Sequence, residues 1–205
     1  MNHQPTKADR LPIREEFYSL QGEGYNVGMS AYFIRIAGCN VGCEFCDEKQ
    51  SWTINNAKQK NIEDIVFKIK QNKAINVVVT GGEPTLYNLK PLTDCLKANN
   101  LVSFLETSGA NDLTGDWDWI CLSPKKKMLP KQIFYDKADE LKVVIENEED
   151  FVFAESFVDK MKTKNLYLQP QWGKKEIITP IIIDYIKKNP MWKLSIQIHK
   201  YIEIA

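Results

Sequence analysis

Apolar residues in this chain gather in short runs with little polar alternation, and between the runs they recur every three or four positions. "SAYFIRIA" (30–37) reads as a strand and "INVVVT" (75–80) as a second, nearly all apolar. "LVSFLET" (101–107), "WICLS" (119–123), "ELKVVI" (140–145), "NLYLQP" (165–170) and "WKLSIQIH" (192–199) continue the series. The stretches between them have helical spacing. Ile62, Ile65, Val66 and Ile69 share one side of a helix over 61–72, with Asn61 as its candidate cap, and further helices are expected near 88–99, 148–162 and 175–188. The first dozen residues are polar and hold two prolines, so a mobile arm is expected over 1–13 and a single domain over 14–205.

Strands without alternation are covered on both faces, and their regular exchange with amphipathic helices implies βα units and a parallel sheet under helices, an α/β protein. Periodicity does not choose between an open doubly wound sheet and a full or partial barrel. In both, ligands sit at the carboxyl ends of the strands. Thr80–Pro84, Glu106–Gly109, Ser123–Lys125, Gln169 and Pro170 all fall there, and Lys142 lies within the fifth strand. One large site built from several strand ends is the expectation.

Composition narrows the partners. Of 205 residues, 43% are hydrophobic, enough for one sizeable core, and 27 basic residues balance 27 acidic ones, so no global field recruits nucleic acid or an anionic membrane. No apolar run approaches the roughly 20 residues of a membrane span, and "MNHQPTKADRLP" lacks the apolar centre of a signal peptide, so a cytoplasmic location is expected. Disulfides are rare in that compartment. Cys95 and Cys121 lie in apolar stretches and read as small core residues, whereas "CNVGCEFC" (39–46) crowds Cys39, Cys43 and Cys46 together and points to a metal. Closed zinc sites want four ligands, and the only histidines are His3 and His199, far off in the chain. Three thiolates suit a four-iron cluster with one iron left open.

The spacing Cys-x3-Cys-x2-Cys, with Phe45 before the last cysteine, resembles the radical S-adenosylmethionine superfamily. That resemblance implies that the open iron chelates S-adenosylmethionine and that its reductive cleavage yields a 5′-deoxyadenosyl radical. "VVVTGGEP" (77–84) is similar to the superfamily's glycine-rich segment, whose backbone and Glu83 would meet the methionine amino group. "ETSG" (106–109) and "SPK" (123–125) would offer hydroxyls and an ammonium.

Upstream, Arg35 interrupts an apolar strand, sharing a face with Ala31, Phe33 and Ala37. A buried guanidinium needs an anion: Glu15, Glu16 or Glu23 in a salt bridge, or a substrate carboxylate clamped in bidentate fashion. With "LQGEG" (20–24), "TGGEPT", "ETSG", "SPK" and "LQPQ", the chain resembles the 7-carboxy-7-deazaguanine synthase family along nearly its whole length. The resemblance implies an incomplete, modified (β/α) barrel, a homodimer, and a ring contraction of 6-carboxy-5,6,7,8-tetrahydropterin with loss of ammonia. It implies that Leu20, Gln21, Gly22, Glu23, Arg35, Thr80 and the terminal Ala205 meet substrate. Phe45, Cys46, Asp47, Gly82, Glu83, Ser108, Ser123, Pro124, Lys125 and Gln169 would surround the cofactor, with Trp172 packed on its adenosine side.

Two positions depart from that family. Its members often carry Thr or Ser after "CD" as a Mg²⁺ ligand, where this chain has Glu48, which could bind Mg²⁺, displace it or pair with Lys49; and the tail ends in Ala205 rather than proline. The run "PKKKMLPK" (124–131) reads as a solvated loop or as a docking face for a flavodoxin-like electron donor. A glycyl-radical activase and a zinc-stabilised interaction module are the competing readings. The first leaves "LQGEG" and Arg35 unexplained, and the second lacks a fourth ligand.

Overall fold

The computed structural model describes residues 9–204. Among these residues nine strands form one sheet: β1 (Arg10–Leu20), β2 (Ser30–Ile36), β3 (Lys58–Asn61), β4 (Asn76–Gly81), β5 (Val102–Thr107), β6 (Trp119–Leu122), β7 (Glu140–Ile145), β8 (Leu166–Pro170) and β9 (Trp192–Leu194). Their spatial order is β3-β1-β2-β4-β5-β6-β7-β8-β9, open at both ends. From β2 to β9 every neighbouring pair is parallel, and β1 and β3 add an antiparallel margin. The helices are α1 (Ile62–Gln71), α2 (Lys90–Ala98), α3 (Gln132–Lys137), α4 (Glu149–Val158), α5 (Lys175–Lys188) and α6 (Ile198–Tyr201).

Side chains alternate across a strand, so each strand has one face for the helices and one for the site. Tyr32, Ile34 and Ile36 of β2, Val77 and Val79 of β4, Leu105 of β5, and Leu141, Val143 and Ile145 of β7 join the core formed with Ile65, Ile69, Leu92, Leu96, Phe151, Phe157 and Ile182 of the helices. The opposite face carries a small apolar cluster of Ala31, Phe33 and Val78, with Phe17 stacked on Phe33 at 5.0 Å. Beyond it, toward the carboxyl ends, that same face bears Arg35, Thr80, Glu106, Lys142 and Gln169. The expected site at one edge is therefore also confined to one face.

Differences from the sequence reading have identifiable causes. Residues 10–13 belong to β1 rather than to a mobile arm, with Leu11 and Ile13 buried; the rest of that expectation, over 1–8, lies outside the described residues. β1 escaped notice because an irregularity between Ile13 and Glu15 breaks its alternation. β3, "KQKN", has no apolar residue and exists through its pairing with β1. The strand expected over 192–199 stops at Leu194, where Ser195–Lys200 turn back over the site. Cys121 is buried as expected, and Cys95 is partly buried against the core.

Candidate active site

A cavity of about 340 Å³ opens at the carboxyl ends of the strands, lined by parts of β1, β2, β4, β5, β7 and β8 and by the segments after β6 and β9. Cys39, Cys43 and Cys46 all lie on its wall, each partly exposed. The loop carrying them is seated by backbone bonds: Gly38 N–H donates to Ser51 O (2.8 Å), Cys39 N–H to Trp52 O (3.1 Å) and Cys46 N–H to Cys43 O (3.1 Å).

The "TGGE" turn is the seat of this loop. Gly82 N–H donates to Ile36 O at 2.9 Å and Glu83 N–H to Gly38 O at 2.8 Å. Gly81 has φ +135°, and a Cβ there would lie 2.1 Å from Ile36 O; at Gly82 it would lie 2.2 Å from Gly38 O. The glycines that seemed to invite a ligand are thus first required by the approach of the cysteine loop itself.

Glu83 lines the same cavity and is held by its own neighbours. It is 2% exposed, and its carboxylate accepts five bonds: from Thr85 N–H (3.1 Å), Thr85 Oγ1 (2.6 Å), Thr107 Oγ1 (2.5 Å), Ser108 N–H (2.8 Å) and Ser108 Oγ (2.5 Å). A carboxylate has about four lone-pair sites, so the chain's own donors fill them here and a methionine ammonium would have to displace one of the hydroxyls. The side chain ties the end of β4 to the end of β5 and presents Ser108 to the cavity.

Across the cavity, a second carboxylate is held differently. Glu23 Oε2 accepts from Lys142 Nζ (2.5 Å) and Gln169 Nε2 (3.1 Å), and Oε1 from Gln197 Nε2 (2.8 Å). Burial pushes this carboxyl up, but the Lys142 ammonium and the two amides overcome that and hold it down at about 2. Lys142 is 3% exposed and also donates to Glu106 Oε2 at 3.3 Å. Burial opposes its charge. Cys121 beside it stays a neutral thiol because burial pushes that thiol up, so the carboxylates of Glu106, Glu23 and Glu140 keep Lys142 charged well beyond its ordinary range. Gln21 completes the group by donating to Glu106 Oε1 at 2.7 Å.

Arg35 is partly buried, 21% exposed at the side chain, and its Nε donates to Glu15 Oε1 at 2.6 Å. The internal ion pair that the sequence left open is thus present, and the guanidinium still lines the cavity beside Thr80, its register neighbour on β4. Glu48 Oε2 lies 3.9 Å from Arg35 Nε, while Lys49 sits over the Trp52 ring, so Glu48 leans toward the arginine rather than the adjacent lysine. Asp47 accepts from Lys200 Nζ (2.5 Å) and Gln197 Nε2 (3.0 Å). Lys125 Nζ bonds to Ser123 O and Oγ, and burial pulls its ammonium down. Trp172 lies between Lys175 (4.3 Å) and Lys200 (5.0 Å), with Tyr201 edge-on.

Of the residues singled out in the sequence, two stand apart. Pro124 is buried and does not line the cavity, and Ala205 lies outside the described residues. The lining also includes Trp52, Glu106, Lys142, Gln197, His199 and Lys200, to which no role had been given. Glu106 is visible in the sequence at the end of one strand and Lys142 within another. "SIQIHK" was hidden by its strand-like alternation.

The donor set fits a polynuclear cluster. Among the described residues no three His, Cys, Asp or Glu side chains converge as one ion would require. Three thiolates spread along one cavity wall suit an iron–sulfur cluster in which each takes a different iron.

A relative in Flavobacterium psychrophilum named 7-carboxy-7-deazaguanine synthase is 50% identical over 97% of this chain and 94% of its own. The synthase of that name in a Synechocystis species is 44% identical over 94% of this chain and 93% of its own. This chain belongs to the 7-carboxy-7-deazaguanine synthase family. The crystal structure of QueE from Escherichia coli superposes with a TM-score of 0.82 at 30% identity, covering 93% of this chain and 95% of that one. The model of the radical SAM superfamily matches residues 33–125, which hold the three cysteines, the "TGGE" turn and "SPK". Membership in this synthase family makes the chain a radical SAM enzyme, with a [4Fe–4S] cluster and S-adenosylmethionine as its cofactors. Its open, mostly parallel sheet is the radical SAM fold expected from the sequence.

Proposed function

We propose that this chain converts 6-carboxy-5,6,7,8-tetrahydropterin to 7-carboxy-7-deazaguanine, with loss of ammonia, in the route to queuosine and related deazapurines. The observation that carries this reading is a single cavity lined both by Cys39, Cys43 and Cys46 and by Leu20–Glu23, Arg35 and Thr80. When bound, the cluster and S-adenosylmethionine supply the radical that removes hydrogen from C6 of the substrate.

The chain's own residues then bind and orient. Arg35, steadied by Glu15 at Nε, offers its terminal nitrogens to the substrate carboxylate. Glu23, held ionised by Lys142, accepts from the N–H edge of the pterin. Ser108, Ser123, Lys125, Phe45, Asp47, Gln169 and the backbone at Gly82 surround S-adenosylmethionine, and Trp172 closes its adenosine side. Glu48, facing the same space as Arg35, is the candidate Mg²⁺ ligand. The enzyme is a homodimer of the cytoplasm, reduced by a flavodoxin-like donor.

The test is anaerobic. The cluster is reconstituted; reductant, S-adenosylmethionine, Mg²⁺ and the pterin are added; and product is sought by mass spectrometry beside a Cys43→Ala control. Deazapurine from the wild type alone supports the reading. Cleavage of S-adenosylmethionine without deazapurine overturns the substrate assignment. Turnover unchanged by stringent removal of Mg²⁺ and its readdition overturns the metal.

A further inference from the structure

Gln197 has no part in the machinery proposed above, yet its side-chain amide bonds at once to Glu23 and to Asp47, the residue after Cys46. It is 7% exposed. Its Oε1 accepts from Lys200 Nζ at 3.1 Å, which leaves Nε2 as the donor end. Both hydrogens of that nitrogen are used: one toward Glu23 Oε1 at 2.8 Å, the other toward Asp47 Oδ2 at 3.0 Å. Neither carboxylate can donate, so the orientation of the amide follows from its neighbours.

Glu23 lies in the loop after β1, on the substrate side, and Asp47 directly follows Cys46. They carry like charges, and each is also held from behind, Glu23 by Lys142 and Asp47 by Lys200. The segment carrying Gln197 is itself tied to the Glu23 loop. Ile198 N–H donates to Gly22 O (2.9 Å), Gly24 N–H donates to Ser195 Oγ (2.9 Å), and Ser195 Oγ donates to Gln169 Oε1 (2.7 Å). A Cβ on Gly22 would lie 2.1 Å from His199 Nδ1, so the two segments touch without a gap. A displacement of Glu23 by a ligand must therefore be felt at Asp47 through one amide.

We infer that Gln197 is a positioning residue that couples the pterin and S-adenosylmethionine halves of the site, so that each ligand tightens binding of the other. The inference rests on the substrate reading above. Coupling of this kind is reciprocal, and its ordinary range includes an effect of about tenfold.

The experiment uses the full chain with its oxidised cluster, and equilibrium dialysis of labelled S-adenosylmethionine with and without 6-carboxytetrahydropterin. The wild type should bind S-adenosylmethionine about tenfold more tightly when the pterin is present. In Gln197→Met, close in shape but with no donor, that ratio should fall below about twofold, while Kd for S-adenosylmethionine alone moves less than about threefold. Gln197→Asn, which keeps the amide but cannot span both carboxylates, should behave like Gln197→Met and serves if the latter folds poorly. In turnover, both variants should release more 5′-deoxyadenosine per product. A wild-type ratio near one, or a ratio unchanged in both variants, overturns the inference alone. A wild-type chain that does not bind the pterin overturns the substrate reading and this inference together.

Discussion

Two carboxylates face one cavity, and they are held in opposite ways. Glu83 takes its donors from its own turn and from residues 24 and 25 positions away, all of them hydroxyls or backbone amides. Glu23 takes its donors from Lys142, Gln169 and Gln197, which lie 119, 146 and 174 residues away. The first is sealed and saturated by neutral groups at two adjacent strand ends. The second is 15% exposed at the side chain and balanced by a buried ammonium. Glu83 acts as part of the frame, whereas Glu23 keeps a charge that is held ready for a ligand.

The most severe way to break this contrast is Lys142→Met. It leaves the buried site of Lys142 empty of charge and Glu23 and Glu106, both largely covered, without their cation, and removing one partner of a buried pair costs roughly 3–5 kcal/mol. Urea denaturation at neutral pH should show that loss, and a cost below about 1 kcal/mol would mean that water already solvates the group. Glu83→Gln is expected to cost less, about 1–3 kcal/mol, because the new amide turns hydrogens toward donors that need an acceptor. Iron content should stay near wild type, since Cys39, Cys43 and Cys46 are seated by backbone, while S-adenosylmethionine binds more weakly as Ser108 shifts. Unchanged affinity would remove Glu83 from any role at the cofactor.

pH separates the two regions more gently. The Glu23 carboxyl is depressed from 4.5 to about 2 in the folded chain. A depressed acid stabilises the fold fully above its unfolded value and loses that contribution as pH falls through the folded one. The wild type should therefore lose stability between about pH 4.5 and pH 2. Lys142→Met, lacking the cation responsible, should show a shallower slope over that range in denaturant midpoints. Equal slopes would assign the acid sensitivity elsewhere.

How far the chain could be read before folding follows the same division. Strand cores such as "INVVVT" and the clustered cysteines announce themselves because local pattern decides them, and the helix expected near 175–188 is α5. The Glu83 frame was half legible: "TGGE" and "ETSG" stood out, but their mutual bonding needs β4 and β5 side by side. The Glu23 group was hardly legible. Lys142 looked like an oddity within an apolar run, and Gln197 lay in what resembled a strand, because what pairs them with Glu23 is the folding together of segments more than a hundred residues apart. Arg35 illustrates the limit from the other side. Its need for an anion was clear, but only the β1 register brings Glu15 opposite it.

The smallest expected effect concerns the lysine loop after β6, which tests whether charge near the cysteines serves the outside of the molecule or the inside. Lys126 Nζ lies 2.5 Å from Asp150, whose other oxygen accepts from the backbone N–H groups of Glu146 and Asn147 at the start of α4. Lys127 reaches Glu44 at 3.2 Å and Gly42 O at 3.0 Å, on the cysteine loop itself. Both ammonium groups are about half exposed and already spend part of their field on internal partners, so a docking acidic protein would meet a largely compensated surface. Lys126→Glu with Lys127→Glu should therefore lower flavodoxin-driven turnover by no more than about twofold, and should lower dithionite-driven turnover by the same factor. A selective loss with flavodoxin, steepest at low ionic strength, would show that the pairs with Asp150 and Glu44 open to receive the donor.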